Sequence, residues 1–178
     1  MEDTRDRRPW GGGRHVCGVV ESTGRTAVSE GAERVVVGVD GSPGSKAALE
    51  WALRYADKTG ARITAVAAWT VPIYYGDVMT PLPLEDFGDQ TERGLSRSVE
   101  EVTAALGTDV PVERRVVQDI PARALVRAAE GADLLVVGSR GHGGFVGTLL
   151  GSVSQHCVHH APCPLVVVRP AEREGAGS

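Results

Sequence analysis

Two apolar rhythms alternate along this chain. Short β-branched runs end in small residues, and each gives way to a stretch whose apolar positions recur every three or four residues. Arg34-Val35-Val36-Val37-Gly38-Val39-Asp40 is the first run and reads as a buried strand. Ser45 to Thr59 reads as a helix with Ala47, Ala48, Trp51, Ala52, Tyr55 and Ala56 on one face, and Gly60 ends it. Arg62 to Trp69 is a second strand of small apolar residues. Val71 to Leu84 holds Pro72, Pro81, Pro83 and Gly76, which predicts a long loop. From about Phe87 to Leu106 the spacing of Leu95, Val99, Val102 and Leu106 predicts a second helix. Pro111 to Val117 reads as a third strand. Pro121 then opens a helix through Ala124, Leu125, Ala128 and Ala129 to a stop at Gly131. Asp133 to Gly138 is a fourth strand, about Ser152 to His160 a last helix, and Pro164 to Arg169 a fifth strand.

Strands alternating with helices predict an α/β fold: a five-stranded parallel sheet with helices on both faces. Right-handed crossovers restrict the strand order, and ligands bind beyond the carboxyl ends of strands where that order reverses. Asp40-Gly41-Ser42 and the segment after Gly138 both lie at such ends. If strands one and four are neighbours, the order is 3-2-1-4-5 and the two loops face each other.

The chain of 178 residues is long enough for one domain with a sizeable core, expected over residues 33–170. Residues 1–32, with Gly11-Gly12-Gly13 and scattered charges, have no sustained period; Val16 to Val20 is a short strand candidate with unsupportive flanks. They read as a flexible leader, and residues 171–178 as a flexible polar tail. Arg5, Arg7 and Arg8 precede a glycine-rich rather than apolar stretch, which argues against a signal peptide. A net charge of −4 gives no basic face for nucleic acid, and no apolar run approaches a membrane span. Cys17, Cys157 and Cys163 make an odd count, which fits reduced thiols and a cytoplasmic location.

The chemistry concentrates between Gly138 and Ser154. A strand, a glycine-rich loop and a helix start form a phosphate-binding arrangement, in which backbone N–H groups and the positive end of the helix dipole face the anion. The glycines also leave the chain free for left-handed turns and close ligand approach. The spacing Gly138-x2-Gly141-x9-Gly151-Ser152 is joined by Val37-Gly38-Val39-Asp40-Gly41-Ser42 and by Ala161-Pro162-Cys163-Pro164-Leu165-Val166-Val167-Val168. On these three motifs, in this order, the chain resembles the ATP-binding branch of the single-domain universal stress proteins over roughly residues 33–170.

The resemblance implies that Asp40 and the backbone of Val39 lie beside the adenine or ribose, with Ala68 lining the base pocket through its main chain. It implies ribose and phosphate contacts from Gly138, Arg140, Gly141, Gly151, Ser152, Val153 and Ser154. Arg140 stands where some members carry His. The implied ligand is ATP, with or without Mg2+, and the implied role is regulatory. The loop offers Arg140 and His142 but no Walker lysine, so binding without efficient phosphoryl transfer is expected and no catalytic residue is assigned. A nucleotide-independent interaction module and a slow ATPase are the rival readings.

Blander roles compete at single positions. Asp40 suits an ordinary Asp-Gly-Ser turn, and Ser152 and Ser154 suit helix caps, which is compatible with phosphate binding because the same N–H groups serve both. His156, His159, His160 and Cys163 invite a metal reading. His156 and His160 lie one turn apart, yet no acid or second cysteine completes a tetrahedral set, so surface and packing roles are favoured and no metal is expected. Trp51 and Tyr55 read as helix core. Strand 164–169 would leave an apolar sheet edge, which natural proteins cover or pair, and the resemblance agrees with a homodimer through it.

Overall fold

The computed structural model describes residues 31–71, 84–142 and 150–170. Most of the leader, the whole tail, the Val16 to Val20 candidate, most of the proline-containing loop and the segment Gly143 to Leu149 lie outside the described residues. The elements run β1 (Arg34–Gly38), α1 (Pro43–Thr59), β2 (Arg62–Trp69), α2 (Leu84–Leu106), β3 (Val112–Gln118), α3 (Pro121–Ala128), β4 (Leu134–Gly138), α4 (Ser152–His160) and β5 (Leu165–Val168).

All pairings are parallel, and the sheet order is β3-β2-β1-β4-β5. The pleat sends alternate residues to two cores. Val35, Val37, Ile63, Ala65 and Val136 pack with Leu49, Leu53, Leu95 and Val99 beneath α1 and α2. Val36, Val66, Leu135 and Val137 pack with Leu125, Ala129 and Cys157 beneath α3 and α4. The central strands are therefore apolar on both faces, which is why β1 and β4 read as unbroken β-branched runs.

Boundaries differ from the sequence expectation where side chains intervene. α1 begins at Pro43 rather than Ser45, because the Ser42 hydroxyl accepts from Ser45 N and Pro43 has no N–H to satisfy. α2 begins at Leu84 rather than about Phe87. β1 stops at Gly38, leaving Val39 and Asp40 in the turn that leads to the site. Trp51 and Tyr55 stack at 5.4 Å on the rim of the first core rather than inside it, and the Tyr55 hydroxyl donates to Glu33 at 2.6 Å.

Candidate functional site

The site begins where β1 runs out. Val39 N donates to Val66 O at 2.9 Å, and the chain then turns through Gly41, whose φ of +85° is the left-handed region that glycine occupies without strain. The turn is tied inward: Ser42 N donates to Asp40 Oδ1 at 2.9 Å, Asp40 N donates to Ser45 Oγ at 3.2 Å, and Ser45 Oγ donates to Ser42 O at 3.0 Å. Asp40 therefore does fill the Asx-turn role its sequence suggested. It does more, because its other oxygen, Oδ2, accepts from His142 N in the facing loop at 3.2 Å. One carboxylate thus bridges the two loops, and the His142 ring places Nδ1 3.7 Å from the same oxygen. Burial pushes the Asp40 carboxyl up, but the hydrogen bonds from Ser42, Ser45 and the His142 backbone outweigh it and hold the group below its ordinary value.

The facing loop leaves β4 equally constrained. Ser139 N donates to Val168 O at 2.7 Å, and Gly151 N donates to Ser139 O at 2.8 Å. Gly138 and Gly141 are required by proximity rather than by left-handed turns: at the described glycines Gly138, Gly141 and Gly151 none of the expected positive φ values is found. A methyl on Gly138 would lie 2.5 Å from the Gly44 carbonyl carbon and 2.9 Å from Ser45 N. A methyl on Gly44 would strike the Arg140 carbonyl oxygen, and one on Gly141 would strike Asp40 Oδ2. Gly151 is different, with ordinary contact distances of 3.5 Å or more to Arg140 Cα, Gly141 N and Ser139 O.

α4 opens at Gly151, whose φ of −73° and ψ of 163° make it the N-cap without a side-chain hydrogen bond. Ser152 and Ser154 are therefore not its caps. The Ser154 hydroxyl instead donates to Gly138 O at 2.6 Å in a buried contact that pins the helix to the strand end. Gly151 N is already engaged, so the first-turn donors that α4 offers beside the cleft, with no partner among the described residues, are the N–H groups of Ser152, Val153 and Ser154.

Between the loops lies a cleft of about 500 Å³, within the size range of small-molecule sites. All ten residues singled out from the sequence line it: Val39, Asp40, Ala68, Gly138, Arg140, Gly141, Gly151, Ser152, Val153 and Ser154. Sequence reasoning missed Ser45, Val66, Pro121, Leu125 and Gln155, which line it too, as does His142, noted from the sequence as a loop group but not singled out as a contact. Ser45 carried a signal, standing three residues after the cap Ser42. Pro121 and Leu125 did not, since a core face and a ligand wall have the same apolar pattern. At the β2 end, the pleat directs the Ala68 N–H and C=O to the same side as those of Val66, toward β1. But β1 has already ended, so this donor–acceptor pair opens into the cleft beside an aliphatic wall of Val39, Val66, Pro121 and Leu125. At the opposite end Arg140, exposed, is the one Lys or Arg side chain among the described lining residues.

The family model described as the universal stress protein family matches residues 31–169. The chain belongs to the universal stress protein family. A universal stress protein of Mycobacterium tuberculosis is 42% identical over 139 residues, covering 76% of this chain and 45% of that protein. One from Mycolicibacterium smegmatis is 39% identical over 136 residues, with 76% and 45% covered. The chain thus spans about half the length of these mycobacterial relatives. Among solved structures, a universal stress protein in complex with cAMP superposes with a TM-score of 0.59 at 29% identity, covering 78% of this chain and 98% of that one. A family member from Burkholderia pseudomallei gives 0.59 at 26% identity, with 80% and 99% covered.

The two described cysteines stand apart from the cleft chemistry. Cys157 is fully buried in the second core, and burial pushes its thiol up to about 11. Cys163 is half-buried, and burial raises its thiol as well. No helix among the described residues is long and apolar enough to cross a membrane.

Proposed function

We propose that this universal stress protein binds ATP, with or without Mg2+, between the ends of β1 and β4, and that occupancy rather than turnover is its output in a stress response. What carries the reading is the convergence of main-chain donors and small residues from both loops on one cleft. The adenine lies against the aliphatic wall and pairs with the Ala68 N–H and C=O. The ribose faces Asp40 and Val39. The phosphates take Gly138, Arg140, Gly141 and the first-turn N–H groups of Ser152, Val153 and Ser154, while Gly151 serves by having no side chain in the way. Each helix-end contact is worth about 0.3–2 kcal/mol, so several act together. With one fixed cation among the described lining residues and no Walker lysine in the loop sequence, charge stabilisation of a transferring phosphoryl group is weak, and hydrolysis is slow at most.

Mass spectrometry of the undialysed protein followed by calorimetry with ATP tests the binding. Gly151→Val is the discriminating variant, because its Cβ meets only ordinary contacts while its two methyls add bulk at a residue that lines the cleft. Its expected phenotype is a stability loss of about 1 kcal/mol, the cost of a poorer N-cap, with ATP binding abolished. If Gly151→Val binds ATP as the unaltered protein does, the site assignment is wrong. Gly141→Val is less informative, since that side chain would first displace Asp40.

The solved relative bound to cAMP, together with the lone arginine, favours a second reading in which the ligand has a single phosphate. Competition between cAMP and ATP decides between the two. The reading also includes a homodimer through strand 164–169 and a cytoplasmic setting in which Cys157 and Cys163 stay reduced.

A further inference from the structure

Toward its carboxyl end α4 carries a second constellation, on residues that do not line the cleft. His156 and His160 are both exposed and share one helix face. Their ring centroids lie 4.3 Å apart, with the planes inclined at 41°. His159 is set off from this pair, 6.3 Å from His160 and edge-on at 61°.

We propose that His156 and His160 form a two-imidazole site for a divalent transition ion of the zinc, nickel or copper class. With a metal–nitrogen bond of about 2 Å, two cis imidazoles sharing one ion hold their ring centres about 4.5 Å apart, close to the separation already present. Imidazole is the ligand these borderline ions prefer over carboxylate or carbonyl oxygen. The site also sits at the carboxyl end of a helix, where unpaired carbonyls and the dipole favour a cation. The sequence alone argued for surface histidines because no third ligand was visible, and no group of three His, Cys, Asp or Glu able to hold a metal occurs among the described residues. The ion therefore keeps water in its remaining positions. It also spans one turn of a nine-residue helix whose other end borders the cleft, so binding stiffens that helix.

The test uses the full chain with any purification tag removed, titrated with Cu2+, Ni2+ and Zn2+ by calorimetry and followed by the imidazole nitrogen NMR signals. His156→Gln and His160→Gln are each expected to weaken binding by about tenfold or more, with His159→Gln unchanged, copper tightest in line with the usual order of divalent affinities. Ni2+ should broaden the His156 and His160 signals before those of His159. All three side chains are exposed, so the variants should keep the wild-type melting temperature in the absence of metal. The proposal is overturned if no ion binds, if the affinity survives both His156→Gln and His160→Gln, or if His159→Gln costs as much as either.

Discussion

Gly138 and Gly151 stand at opposite ends of one motif but are glycine for different reasons, and substitution separates them. At Gly138 the missing Cβ lets the β4 end lie directly on the first turn of α1, backbone against backbone. Gly138→Ala should destabilise the fold by about 3 kcal/mol or more, since neither segment has a flexible side chain to move aside. Gly151→Ala should cost about 1 kcal/mol or less. Chemical denaturation of both variants checks the contrast. The motif was legible as a spacing, but its two mechanisms were not, because close approach depends on Gly44, which reads as an ordinary residue of a helix start. Asp40 was legible as a turn former. Its reach to His142 N was not, since that contact joins residues brought together only by the order of the strands.

Among the elements, α4 and α3 owe their placement to single polar anchors. The buried hydrogen bond from Ser154 Oγ to Gly138 O holds α4 at a fixed height over the strand end. Ser154→Ala should lower stability by about 1–3 kcal/mol, because it orphans a buried carbonyl, and urea unfolding measures the loss. α3 has no side-chain cap at Ile120, and Asp119 instead ties the helix start to two arginines of the helix. Its Oδ1 accepts from Ile120 N at 2.7 Å and from Arg123, and its Oδ2 accepts from Arg127 at 3.3 Å. The Arg123 hydrogen bond, against the opposing effect of burial, holds the Asp119 carboxyl below its ordinary 3.8. A carboxyl depressed in the folded state stabilises fully above its unfolded value and loses that contribution as pH falls through the folded one. Acid unfolding of the wild type should thus show a pH-dependent loss of stability below about pH 4 that is reduced in Asp119→Asn, as circular dichroism can record. Element existence was readable from periodicity alone. Element ends were not, because Ser42, Asp119 and Gly151 set them through contacts rather than through pattern.

For the whole molecule, β-α-β crossovers leave few alternatives, the order β3-β2-β1-β4-β5 was expected on the condition that strands one and four are neighbours, and the order observed is that one. The two borders of this sheet differ sharply. β3 exposes Glu113, Arg114 and Arg115, with Arg114 near Glu100, whereas all four residues of β5 are apolar and only half-covered. On the proposed assembly, sedimentation should show a dimer at micromolar concentration, and Val167→Lys should convert it to a monomer at some cost in stability, since Val167 also packs against the second core. A stable wild-type monomer at that concentration would remove the assembly. The asymmetry also limits growth. In the proposed assembly, a two-fold axis that joins the aliphatic borders would leave ionic rims facing outward on both flanks, so the joined sheet would offer no sticky margin to a third copy and the particle would close at two instead of lengthening into a fibre.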